Sequence, residues 1–253
     1  MPPINPVVTP TMPVGDQDVD WDHFDSQAYF NHNYSELRAD DSRIIEIVSD
    51  YFQRAIPRNK SGLAIDVGSG ANLYPALTML PYSSGVTLFE RAFTNREWLK
   101  NEIARPRESW KQFWDAVSVG RPDYERVNNP WDLLHRQAKV VEGNVFTLAP
   151  GQYDMGTMFF VAESITVRMN KFEEATRRFV RSLNAGAPFA AAFMRNSSGY
   201  VVSGLRFPAC SIAEEDVVRA LAPVARNVDI KTVESNDLRD GYCGMMVATG
   251  RKK

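Results

Sequence analysis

The run Ile65-Asp66-Val67-Gly68-Ser69-Gly70 places a carboxylate and two glycines at the end of a short apolar stretch. Glycines there let a chain turn tightly and bring backbone N–H groups against a ligand. Taken alone, they serve as turn formers more often than as binding loops. Three neighbouring features narrow the chemistry. Asp66 closes a buried stretch and has no structural task visible in the sequence. The loop reads GSGANL, with Leu73 where a dinucleotide fingerprint carries its third glycine; that glycine serves close helix–strand packing beneath a pyrophosphate. Glu90 ends the next apolar stretch twenty residues beyond Gly70, where an acid accepts from a ribose diol. A solvated strand end would also explain Glu90, but its register with the loop favours ribose. A nucleoside ligand carrying no diphosphate fits all three.

Elements in a regular alternation must position these groups. LAIDV (63–67) reads as a buried strand running into the glycine turn, with a helix over 73–80. GVTLFE (85–90) is a second strand, followed by a helix from Asn95 to Ile103. KVVEG (139–143), YDMGTMFFV (153–161) and PFAAAFM (188–194) supply three more strands, and two final strands lie near 227–233 and 242–249. Between them, residues 172–183 and 213–222 read as helices; Asn184 to Gly186 offers a C-cap for the first and Ser211 an N-cap for the second. Upstream, Ile44, Ile45, Val48, Tyr51 and Phe52 recur on one helix face that Pro57 ends, with Asp40, Asp41 and Ser42 as N-cap choices. Strands alternating with helices predict an α/β fold: a Rossmann-like, mostly parallel seven-stranded sheet with helices on both faces. The stretch 104–137, with Trp110, Phe113, Trp114, Tyr124 and Trp131, reads as a helical insertion packed on that sheet. Residues 1–18 hold five prolines and no periodicity, so a flexible tail precedes a single domain over 19–253. A nucleoside ligand on such a sheet points to S-adenosylmethionine as cofactor.

Composition excludes other classes. The 253 residues carry 29 basic and 31 acidic side chains, so no broad basic field is available for nucleic acid. Cys210 and Cys243, with His23, His32 and His135, show neither metal-ligand spacing nor a disulfide framework, and no metal is expected. No run approaches a membrane span and the N-terminus lacks a secretory pattern, so a cytoplasmic protein without a membrane partner is expected. The sequence says nothing about oligomeric state.

The chain also resembles the phenylethanolamine, nicotinamide and indolethylamine N-methyltransferases. FDSQAYFNHNY (24–34) is similar to that family's F-x-P-x-x-Y-L-x-x-x-Y stretch, and IDVGSGANLY (65–74) to its D-I-G-S-G-P-T-x-Y. FERAFTN (89–95), GNV (143–145), AES (162–164) and SGYVVSG (198–204) follow in the same order and at similar spacing, so the resemblance runs from about residue 21 to the C-terminus. It implies a class I methyltransferase whose N-terminal helical segment (19–57) closes as a lid. Tyr29 and Tyr34 would contact the methionine portion of the cofactor. Gly68, Ser69, Gly70 and Asn72 would line the loop beside Asp66 and Tyr74. Glu90 would hold the ribose, with Asn95 near adenine or ribose. Asn144, in place of the usual Asp, and Val145 would flank the adenine, and Phe159 or its neighbours would lie near the sulfonium. Trp21 and Tyr200 would reach the substrate.

For catalysis the resemblance implies Glu163, which follows the fourth strand and matches an acid facing the substrate amine. It would steer a cationic amine or accept its proton; a helix-capping role reads equally well. The chain departs from the family at FMRNSSGY (193–200), which offers no acid after the fifth strand. That puts a phenylethanolamine-like or nicotinamide-like substrate in doubt; Arg195 suits a carboxylate-bearing or neutral acceptor, and reads equally as a solvated loop residue. N-methylation of a small amine or heteroaromatic nitrogen is therefore expected. Methyl transfer to oxygen or carbon, a nucleotide-dependent oxidoreductase and a non-catalytic nucleoside sensor are the rivals.

Overall fold

The computed structural model describes residues 19–58, 61–234 and 244–253. The proline-rich stretch 1–18, the start of the expected last strand and Cys243 lie outside them.

In chain order the elements are a 3-10 turn (Trp21–His23), α1 (Ser26–Asn33), α2 (Ala39–Ala55), β1 (Gly62–Val67), α3 (Tyr74–Leu77), β2 (Ser83–Glu90), α4 (Phe93–Ala104), α5 (Trp110–Ser118), α6 (Pro122–Glu125), α7 (Pro130–Gln137), β3 (Ala138–Glu142), β4 (Met155–Phe159), α8 (Met169–Arg181), β5 (Pro188–Met194), β6 (Tyr200–Val202), β7 (Leu205–Phe207), α9 (Glu214–Leu221), β8 (Ala225–Val233) and β9 (Met245–Lys252). Seven strands form one sheet in the order β3-β2-β1-β4-β5-β9-β8. The first five neighbours are parallel, and β9 runs antiparallel to both β5 and β8.

The central strands bury both faces, which explains their near-continuous apolar sequence. Ala190 and Ala192 of β5 join a core under α2 to α7, while Phe189, Ala191 and Phe193 face a second core under α8 and α9. Asp66 alternates with Ile65 and Val67 along β1, so its carboxylate is carried on the side opposite the second core. The α2 face Ile44, Ile45, Val48 and Phe52 is fully buried, as its period requires.

Several local expectations are corrected. The helix expected over 73–80 is a single turn, α3, followed by a 3-10 turn at Leu80–Tyr82, because Pro81 cannot continue a helix. Arg38, not Asp40, Asp41 or Ser42, stands at the α2 N-cap, and both aspartates lie buried in the first turn. Ser182 ends α8, two residues before the Asn184–Gly186 turn. Ala213, not Ser211, precedes α9, and the Asp216 carboxylate reaches back to accept from the Ala213 N–H at 2.9 Å. A hairpin was not expected: β6 and β7 pair around Ser203 and Gly204, both with positive φ (48° and 81°), a two-residue primed turn.

The 104–137 segment holds α5, α6 and α7, tied down by buried polar contacts. Glu102 accepts from the Trp110 Nε1 at 3.0 Å and the Arg107 N–H at 2.8 Å. Arg121 joins Asp50 of α2 at 2.6 Å, and the Tyr124 hydroxyl donates to the Thr78 carbonyl at 2.7 Å.

Candidate active site

The carboxyl ends of β1, β2 and β4 open onto a cleft enclosing about 1030 Å³ of space, part of it open solvent. This is where open α/β sheets hold ligands. Its floor is the glycine turn. Gly68 has φ +67°, and a Cβ there would lie 2.5 Å from a Val161 methyl; only glycine fits this backbone and this approach. Gly70 also has positive φ, +57°, and its N–H donates to Glu90 Oε2 at 2.8 Å. Glu90 Oε1 accepts from the Ala92 N–H at 2.7 Å, so one carboxylate ties the β1 turn to the β2 turn. Each carboxylate oxygen keeps a further acceptor site. Burial holds the Glu90 carboxyl above its usual range, against the pull of these N–H groups.

Asp66 is buried on this floor. Its Oδ1 accepts from the Thr157 hydroxyl of β4 at 2.7 Å, whereas Oδ2 has no hydrogen-bond partner. Burial pushes its carboxyl up to about 6; the Thr157 hydrogen bond opposes the rise and the nearby Glu90 charge adds to it. Such an unsatisfied buried acceptor calls for a donor.

The walls come from separate elements. Tyr29 and Tyr34 on and after α1, Trp21 of the first turn, Ser69, Asn72, Asn95, Asn144, Val145, Phe159 and Tyr200 all line the cleft, with Asp66, Gly68, Gly70 and Glu90. Asn95 Oδ1 accepts from the Ser26 hydroxyl at 2.7 Å, which fastens α1 to α4. Asn144 Oδ1 accepts from the Phe146 N–H at 3.0 Å and so orders the turn after β3. Asn72 Oδ1 accepts from the Tyr74 N–H at 3.0 Å. Over the cleft, Trp21, Phe24, Tyr29, Tyr200 and Phe207 pack ring on ring, with Tyr200 stacked on Phe207 at 5.2 Å.

Two expected residues do not line the cleft. Tyr74 lies in the core beneath the loop, stacked on Phe113, with its hydroxyl donating to Asp41 at 3.0 Å. Glu163 is fully buried behind the wall; its Oε1 accepts from the Met194 N–H at 2.9 Å and its Oε2 has no hydrogen-bond partner. Burial pushes this carboxyl up to about 7, against the Met194 N–H. Arg195 also stays off the cleft wall. Other lining residues escaped the sequence: Phe89, Phe146, Phe160, Val161 and Ser164. Phe160 has φ +59°, rare for an aromatic residue, just past the end of β4. Thr157, which holds Asp66, carried no sequence signal. Among the described residues no cluster of His, Cys, Asp and Glu suits a metal.

S-adenosylmethionine fits this cleft: the orphaned Asp66 Oδ2 offers an acceptor, the glycine turn brings backbone close, and aromatic rings cover an apolar wall. Fold and site together define a class I S-adenosylmethionine-dependent methyltransferase. The chain belongs to the NNMT/PNMT/TEMT family, whose model matches residues 14–253. Phenylethanolamine N-methyltransferase of Sus scrofa is 24% identical over 257 residues, covering 92% of this chain and 90% of that protein. Among solved structures, the N-methyltransferase NodS of Bradyrhizobium japonicum WM9, in complex with S-adenosylhomocysteine, covers 91% of this chain and 93% of its own at TM-score 0.54 and 9% identity. The glycopeptide N-methyltransferase MtfA, complexed with the same product, covers 86% and 92% at TM-score 0.54 and 11% identity. Among the described residues no helix is long and apolar enough to cross a membrane.

Proposed function

We propose that this enzyme N-methylates a small molecule bearing a nucleophilic amine or heteroaromatic nitrogen. The observation that carries the reading is the glycine turn bound to Glu90, set under an aromatic cover that leaves a route for a second molecule past Tyr29, Phe160 and Tyr200. When bound, S-adenosylmethionine supplies a methyl group on a sulfonium. Glu90 would take the ribose hydroxyls on its remaining acceptor sites, with Asn95 beside them. Asn144 and Val145 would flank the adenine. Asp66 Oδ2 would accept a donor, while Tyr29, Tyr34, Ser69, Asn72 and Phe159 enclose the reacting end.

Little acid–base work is required of the chain. A neutral acceptor nitrogen would need only to have its lone pair aimed at that methyl group, and one that carries a hydrogen would shed it to water after transfer. What the residues supply is alignment and dryness, and orientation alone lowers such barriers by roughly 7–11 kcal/mol. Glu163, buried behind the wall, acts here as a positioning residue that holds the segment after β4 to the end of β5. The porcine relative, named a phenylethanolamine N-methyltransferase, supports nitrogen as the acceptor.

The test is a screen of arylamines, heteroaromatics, alkylamines and phenols with methyl-labelled cofactor, products being assigned by mass spectrometry. N-methyl products are expected. Transfer confined to oxygen or carbon would overturn the reading.

A further inference from the structure

Three elements meet at one end of the cleft, and a row of buried side chains joins them. Ser26 opens α1, Asn95 lies in the first turn of α4, and Glu90 ends β2. Asn95 and Glu90 also line the cleft. The Ser26 hydroxyl donates to Asn95 Oδ1 at 2.7 Å. At its other end the Asn95 amide faces Glu90. Burial holds the Glu90 carboxyl above its usual range, and the Asn95 side chain opposes that rise after the Ala92 and Gly70 N–H groups.

These two contacts fix which way the amide points. A carboxylate only accepts, so an amide lowers a neighbouring carboxyl's pKa through its N–H end. Nδ2 therefore faces Glu90, and Oδ1 faces the Ser26 hydroxyl. Reversing the amide would set Oδ1 against the carboxylate, acceptor against acceptor. Without the hydroxyl, Oδ1 would be a buried acceptor lacking a partner, and the amide would shift to regain one, taking its N–H end from Glu90. Direction matters at this carboxylate, because one oxygen is held by the Gly70 N–H at 2.8 Å and the other by the Ala92 N–H at 2.7 Å.

The hydroxyl has no other visible task. Asp25, not Ser26, caps α1, its carboxylate accepting from the Ala28 N–H at 2.9 Å. In the F-x-P-x-x-Y stretch that the chain resembles, this position is proline, which starts a helix equally well and carries no side-chain donor.

We propose, resting on the assignment of Glu90 to the cofactor ribose, that Ser26 is a positioning residue of the cofactor site. Its hydroxyl holds the Asn95 amide with the N–H end toward Glu90, so that the ribose diol meets an acceptor and a donor set side by side.

The test is calorimetric titration of the whole chain with S-adenosylhomocysteine and with its 2′,3′-dideoxy analogue, which lacks only the diol. The native protein is expected to bind the analogue at least about tenfold more weakly. Ser26→Ala should weaken S-adenosylhomocysteine about tenfold, the weight of roughly one hydrogen bond, and the analogue by less than about twofold. On an Asn95→Ala background the same substitution should change neither affinity. Three results would each overturn the proposal. They are an unchanged affinity for S-adenosylhomocysteine in Ser26→Ala, an equal loss for both ligands, which a merely looser α1 would produce, and a loss that persists in the Asn95→Ala background. The reading beneath it fails differently. A native protein that binds the two ligands equally would take the diol away from Glu90, and the role of Ser26 with it.

Discussion

Replacing Glu163 by glutamine tests whether its carboxyl is a buried structural group or a participant in the chemistry. The folded protein holds this carboxyl at about 7 against an ordinary 4.5, through burial. That difference corresponds to roughly 3 kcal/mol between the two protonation states. The sign follows from the raised value. The native state keeps the proton that the unfolded chain releases above about 4.5, so stability present at low pH is lost as pH rises through about 7. Glutamine mimics the protonated acid, keeps an oxygen for the Met194 N–H and never ionises. Glu163→Gln should therefore gain on the native protein by up to roughly 3 kcal/mol between pH 5 and pH 8. Any fixed penalty for burying the amide is equal at both pH values and drops out of that difference. Urea denaturation of both proteins at the two pH values measures it, and kcat is read on the same preparations. A stability difference that does not change with pH would refute the reasoning. So would a loss of kcat exceeding a hundredfold in a folded variant, which would put the carboxyl in the reaction.

Asp66 titrates at about 6 in the free protein, so the acceptor offered by its ionised Oδ2 is lost on acidification. Affinity for S-adenosylhomocysteine should fall about tenfold from pH 7.5 to pH 5; Asp66→Asn should bind weakly at both pH values, and a variant showing the native pH profile would remove Asp66 from the site. Glu90→Ala strips an acceptor from two N–H groups, those of Gly70 and Ala92, as well as from the ligand. A loss of cofactor affinity of a hundredfold or more is expected by calorimetry, consistent with about 1.5–3 kcal/mol for each hydrogen bond to a charged acceptor that the ligand loses, and unchanged affinity would end the ribose assignment. Gly68→Ala should cost about 1–3 kcal/mol in stability, because φ +67° disfavours alanine and its methyl would strike Val161. Adding Val161→Ala should recover the steric part only; full recovery in thermal melts would show that the backbone angle does not matter.

The sequence carried the backbone of this site because its signals are local. Gly68 and Gly70 are adjacent to the strand they terminate, and Glu90 ends the next strand in register, so a short stretch of chain contains the whole glycine–acid clamp. The expected positions fell within a few residues of all seven sheet strands; in the central ones, burial on both faces leaves little room for polar residues. Tyr29, Tyr34 and Trp21 were legible only through an ordered resemblance; aromatic residues at such spacing read equally as core.

The tertiary structure decided what depends on partners far apart in the chain. Thr157 meets Asp66 across 91 residues, and no periodicity announces a hydrogen bond between parallel strands. The β6–β7 hairpin was not expected from the sequence, and its consequence, a ring-packed cover over the cleft, exists only once β7 packs on Trp21 and Phe24. Glu163 shows the difference most clearly. Its residue type and place after β4 suited an active-site acid, yet the fold buries it behind the cleft wall, gives one of its oxygens to the Met194 N–H and raises its pKa. Residue type sets which chemistry is available, whereas the direction of a side chain and the dielectric around it are settled by which strands become neighbours.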